Sequence, residues 1–211
     1  MSTQSFTCGI DIGTKNLCIS FISAGELRVI SYKGSLSSVF RYETGQESNE
    51  IIALSKRDTV HSHEAYVKIL KVIPEFRDTT STVIEEQLSM NKSNMARLDG
   101  VTYGFLRGMF PQMGVYLHGS GIRQKFITEA LSNEDVSKVV VPRGYPGSKE
   151  LSFYYVGCLF QQHYEYIHLF VELRDKLDDI CDSVVYAGVA RTKPEALRTH
   201  HKSVAQAAVA K

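Results

Sequence analysis

Phe6-Thr7-Cys8-Gly9-Ile10-Asp11-Ile12-Gly13-Thr14 is an apolar run that closes on an acid and then on a glycine. Its length and its bounding turn residues read as a buried strand over 6–12. Asn16-Leu17-Cys18-Ile19-Ser20-Phe21-Ile22 follows at once, which makes Gly13-Thr14-Lys15 the turn of a hairpin. After a second turn at 23–26, Leu27-Arg28-Val29-Ile30-Ser31-Tyr32 alternates as a third strand. Further on, the spacing predicts a helix over 60–76, a strand over 82–87, a helix over 93–109 and a strand over 112–118. Residues 121–135 read as partly helical and 138–142 as extended. A long helical region spans 148–175, and a final helix starts near 178. A meander of three strands followed by alternating helix and strand defines an α/β domain with a mixed sheet. Residues 33–57 are polar and Ser- and Glu-rich, and read as a long loop or insertion with a short helix. There is no internal repeat and no dividing linker. The expected organisation is one domain over 1–190 and a basic tail over 191–211.

A chain of 211 residues can bury one full core. Its 43% hydrophobic and 22% charged residues are ordinary for a soluble globular protein. No stretch approaches the roughly 20 apolar residues of a membrane span, so no membrane partner is expected. The polar start, Met1-Ser2-Thr3-Gln4-Ser5, shows no signal peptide. Cys8, Cys18, Cys158 and Cys181 are scattered without a zinc-ligand spacing, and read as buried reduced thiols of an intracellular protein. The net charge of +1 does not advertise a nucleic-acid partner. The distribution is less neutral, with basic residues gathered at 121–149 and at 191–211, as phosphate contacts would require.

The acids carry the chemistry. Asp11 closes the first apolar run, and Glu85 closes Thr82-Val83-Ile84-Glu85. Asp179 and Asp182 lie in Lys176-Leu177-Asp178-Asp179-Ile180-Cys181-Asp182-Ser183, ahead of an apolar helical stretch. In such a sheet the first strand is central and the first strand after a helix lies beside it, which puts Asp11 and Glu85 side by side. Asp179 and Asp182, spaced i, i+3, share a helix face, while Asp178 is turned about 100° from Asp179. Carboxylates crowded in this way repel unless cations neutralise them. Two hard cations held by oxygen ligands can clamp the attacking and leaving oxygens of a phosphodiester. The pattern therefore points to a metal-dependent nuclease. Singly, each acid also fits a turn, an exposed strand end or a first-turn helix position.

Gly9-Ile10-Asp11-Ile12-Gly13-Thr14-Lys15-Asn16 resembles the first motif of RuvC-type Holliday junction resolvases, nearest to their poxvirus and fungal mitochondrial branch. Ile84-Glu85-Glu86-Gln87 is similar to that branch's second motif, and residues 176–183 are similar to its last. The resemblance spans 9–183 in the family order. It implies an RNase H-like fold, a mixed five-stranded sheet with helices on both faces. It also implies a homodimer that makes paired nicks in four-way DNA junctions and leaves 5′-phosphates. Two Mg²⁺ per active site, replaceable by Mn²⁺, would be held by Asp11, Glu85, Asp179 and Asp182, with Asp178 a rival to Asp179. The family's catalytic lysine carries over to Lys149, from a segment with one lysine where the family has a cluster.

Gly100, Gly104 and Gly108 line one face of the 93–109 helix. Each costs about 1 kcal/mol relative to alanine, which close approach of another backbone would explain. That approach is either to the protein's own sheet or to a second subunit, as in the resembled family. Lys15, Lys92, Arg97, Arg123 and Lys125 are the expected DNA contacts. The other readings are a RuvC-like nuclease acting on RNA, a non-catalytic junction-binding dimer, and a sugar-kinase-like phosphotransferase. The last needs a second domain and a nucleotide loop, so no nucleotide cofactor is expected. A virus-encoded protein suits the short N-terminus better than a mitochondrial one.

Overall fold

In the computed structural model, residues 5–12, 16–23, 27–33, 39–43, 46–50, 63–86, 93–132, 134, 147–161 and 177–192 are described. The chain opens as an antiparallel meander, β1 (Phe6–Ile12), β2 (Asn16–Ile22) and β3 (Leu27–Lys33). A second hairpin, β4 (Val39–Glu43) and β5 (Gln46–Glu50), continues it. Helix α1 (His63–Val72) and a 3₁₀ turn (Pro74–Asp78) lead into β6 (Thr79–Glu85). Then come α2 (Ser93–Met109), β7 (Gly114–His118), α3 (Ser120–Ala130), α4 (Gly147–Gln161) and α5 (Leu177–Thr192).

One seven-stranded sheet has the order β5-β4-β3-β2-β1-β6-β7. The last two strands lie parallel to β1, because helices return the chain to the same sheet end. The expected mixed sheet is therefore present as β3-β2-β1-β6-β7. The segment read as a loop with a short helix departs from that reading, since 39–50 form a hairpin that lengthens the sheet. The Ser- and Glu-rich surroundings and the wholly polar β5 hid the strands, because an outlying hairpin needs no long apolar run. The expected 60–76 helix ends at Val72, one residue before Ile73, where Pro74 imposes a tighter turn.

Period-two alternation sends β1 to both faces. Cys8, Ile10 and Ile12 join Ile69 and Leu70 of α1 and Leu98 and Leu106 of α2. On the other face α5 crosses β1, β2 and β6, with α4 and α3 outside it. Residues 180–190 of α5 are all buried, so this helix is a core element as well as a carrier of acids. Gly9 is what permits the crossing. A Cβ there would overlap the Ser183 carbonyl oxygen and the Ala187 nitrogen, and would lie 2.8 Å from the Tyr186 carbonyl carbon. Thr7 Oγ1 donates to the Ala187 carbonyl at 3.1 Å beside this contact. The Ser20 and Ser183 hydroxyls meet at 2.6 Å, and Ser183 Oγ also donates to Ile180 O at 2.8 Å. These contacts pin residues 183–187 of α5 against Thr7 and Gly9 of β1 and Ser20 of β2.

Cys8, Cys18 and Cys181 are buried free thiols and Cys158 is half-buried. No helix among the described residues is long and apolar enough to cross a membrane.

Candidate active site

The parallel register pairs Ile10 with Ile84, so Asp11 and Glu85 are the next residues on adjacent strands. Asp11 is buried, and its carboxyl shares a hydrogen bond with that of Glu85. Asp179 and Asp182 face it from α5. Burial raises the Asp11 pKa well above the usual carboxylate range, and the charges of Glu85, Asp179 and Asp182 raise it further. Asp179, not Asp178, bears on Asp11. Asp178 is ion-paired with Lys149 of the first turn of α4. Burial opposes the Lys149 charge, but the bond to Asp178 outweighs it and raises the pKa. The sheet and α5 thus bring together four of the expected acids, and α4 sets Lys149 beside them.

Asp182 is held on both oxygens. Ser152 Oγ donates to Oδ1 at 2.7 Å, and the Arg123 guanidinium pairs with Oδ2. Burial nonetheless raises the Asp182 pKa to about 6, against the pull of Arg123 and Ser152. Arg123 was expected on a DNA-facing surface. It is 6% exposed and lies inside the acidic site. The physical reason is helical phase: Arg123 stands three and four residues before the buried Phe126 and Ile127. That spacing was readable as a buried face. Ser152, between the half-buried Leu151 and buried Phe153, carried no such signal, and neither did Tyr186, four residues after Asp182. The Tyr186 ring is fully buried, and its hydroxyl finds no partner among the described residues. Burial and then Glu85 push its pKa upward, so it remains a neutral hydroxyl.

Lys125 is exposed on α3 and free to meet solvent-borne phosphates. Lys15 and Lys92 lie outside the described residues, as does the side chain of Arg97. So do 193–211 of the basic tail and the expected extended segment at 138–142. On α2, Leu98, Thr102 and Leu106 face the core, whereas Gly100, Gly104 and Gly108 are exposed. A Cβ at any of the three would meet nothing within 4 Å. The glycine stripe therefore does not serve close packing on the protein's own sheet.

The donor set suits a hard divalent cation in its chemistry, being oxygen-only and short of positive charge. Among the described residues, no three His, Cys, Asp or Glu side chains are grouped to hold a metal ion. The acids are instead turned to one another, to Arg123 and Ser152, and to Lys149. A cation that enters must therefore replace these contacts.

One pH dependence follows. Asp11 and Asp182 bind protons more firmly folded than unfolded. Their stabilising contribution is complete below the unfolded carboxylate pKa and is lost as pH rises through the raised folded values, about 6 for Asp182. Without divalent ions, the protein should melt higher at about pH 5.5 than at about pH 7.5. Calorimetry at both values decides it, and a Tm that rises with pH would contradict this burial of charge.

No family model matches the chain, and no curated protein matches it in sequence. Among solved structures it is similar to Thermus thermophilus RuvC in complex with a Holliday junction substrate. That likeness has a TM-score of 0.33 and 13% identity, and covers 78% of this chain and 96% of the other. A second structure of T. thermophilus RuvC gives a TM-score of 0.31 and 18% identity, with the same coverage. The α/β class, a mixed sheet with helices on both faces, rests on this chain's own strand order and helix contacts. Likenesses of this size carry no argument about activity, which must come from the site itself.

Proposed function

We propose that the chain is a divalent-metal-dependent nuclease that resolves four-way DNA junctions. The observation that supports this reading most is the placing of Asp11. It is buried at the end of β1, hydrogen-bonded to Glu85 and faced by Asp179 and Asp182. A fold does not gather four acids at one strand end without a use for the charge, because each repels the others. Asp11, Glu85 and Asp179 would hold Mg²⁺ or Mn²⁺. When bound, the metal supplies an activated water and charge stabilisation for the departing oxygen. Lys149, one third exposed at the rim, carries positive charge to the phosphate. Lys125 contacts the backbone beyond it. The open glycine face of α2 is the proposed contact between two subunits, which would set two such sites on paired strands.

The test is incubation of the purified protein with a synthetic four-way DNA junction and Mg²⁺, beside a matching RNA duplex. Paired nicks near the branch point, lost on adding EDTA, are the expected result. Metal-independent binding without cleavage would instead leave a junction-binding dimer. Cleavage of the RNA duplex alone would overturn the choice of DNA.

A further inference from the structure

Among the described residues, Arg123 differs from the other cation beside the acids. Lys149 stands at the rim and pairs with Asp178, outside the group around Asp11. Arg123 is buried within that group. Its guanidinium holds Asp182 Oδ2 while Ser152 holds Oδ1, so both Asp182 oxygens are occupied by the protein's own donors. The charges of Glu85 and Asp11 also act on Arg123. Its Nε finds no hydrogen-bond partner among the described residues. A buried guanidinium cannot shed its proton and cannot swing to solvent without leaving a buried carboxylate uncompensated. A divalent ion taking Asp182 as a ligand would have to sit beside this fixed positive charge.

We propose that Arg123 is a resident cation of the site: it takes Asp182 and one share of the negative charge, leaving Asp11, Glu85 and Asp179 to hold a single divalent ion. The inference rests on the metal-dependent reading above and departs from the two-ion expectation. Asp182 then acts as a positioning residue, keeping Arg123 against the site, and not as a metal ligand. Ser152 fixes the carboxylate in the orientation that faces Arg123.

Mn²⁺ titration of the full chain, followed by electron paramagnetic resonance and calorimetry, tests this without reference to cleavage. Asp11→Asn serves as the background for surface sites. The wild-type protein should bind one Mn²⁺ above that background, and Arg123→Gln should bind two. Arg123→Lys should stay at one. Asp182→Asn should keep one Mn²⁺ within about threefold of wild-type affinity, well short of the roughly 10–100-fold that even outer contacts to a metal can cost. Two ions in the wild-type protein, a measurement that needs no variant to fold, would overturn the proposal and leave the nuclease reading standing. So would an Asp182→Asn affinity loss of about 100-fold. No Mn²⁺ above background in any form would overturn the proposal together with the metal reading.

Discussion

Gly9→Ala should cost at least about 3 kcal/mol of stability, the upper end of what an extra buried methyl exacts from a packed core. For a chain of this size that is a fall of roughly 6–12 °C in Tm. The cost is large because the methyl meets backbone atoms of Ser183, Tyr186 and Ala187, which cannot rotate away as a side chain would. Either α5 lifts from the sheet or β1 sinks toward α1 and α2. Lifting α5 would draw Asp179 and Asp182 from Asp11, so cleavage and metal affinity should fall together with Tm. Thermal denaturation by circular dichroism, beside Mn²⁺ titration, measures both. An alanine variant with wild-type Tm and metal affinity would show that α5 does not rest on β1 as described.

Asp11→Asn should abolish cleavage while making the metal-free protein more stable. The loss of rate is on the order of 10³-fold, corresponding to about 4 kcal/mol of the several that a bound metal contributes to the transition state. The gain in stability is about 0.5–2 kcal/mol, typical of relief at a strained site, and amounts to a few degrees in Tm. It arises because Asp11 is the most crowded acid, buried against Glu85 and faced by Asp179 and Asp182. An amide keeps a hydrogen bond to Glu85 and carries no charge. With Mg²⁺ present the order should reverse, since the wild-type protein gains from the ion and the variant does not. Scanning calorimetry with and without Mg²⁺ shows both signs. A variant destabilised under both conditions would mean that Asp11 is a structural acid at a turn.

Strand β1 was legible because its apolar run is long and closes on an acid, whereas β6 starts at Thr79, three residues before the expected 82, because Thr79-Thr80-Ser81 reads as a turn. Helix α2 has the limits read from its sequence, 93–109, and α5 starts within a residue of its expected position. The preference for Asp179 over Asp178 rests on its i, i+3 spacing from Asp182 and on the resemblance; which of the two bears on Asp11 depends on the phase of the helix relative to the sheet, which packing sets. Here that phase is fixed by the contact at Gly9. The strands at 39–50 were hard to read because β4, Val39-Phe40-Arg41-Tyr42-Glu43, is short and β5, Gln46-Glu47-Ser48-Asn49-Glu50, is wholly polar. Arg123 lies off its expected surface for a different reason: basic residues between turns and helices read as surface charge, although the buried Phe126 and Ile127 share its helix face. Burial of a charge is a property of the partner, and its partner Asp182 lies fifty-nine residues later.

Among the described strands the sheet ends in a border strand on each side. Its outermost member on one side is β5, Gln46-Glu47-Ser48-Asn49-Glu50, paired only to β4. A border strand offers unpaired amides and carbonyls to any extended segment that drifts alongside. This one carries two glutamates and no aliphatic residue in five positions. A second copy approaching edge to edge would set acid against acid and gain almost no apolar contact. The acidic outer strand of the hairpin thus disfavours the addition of a further strand at this border.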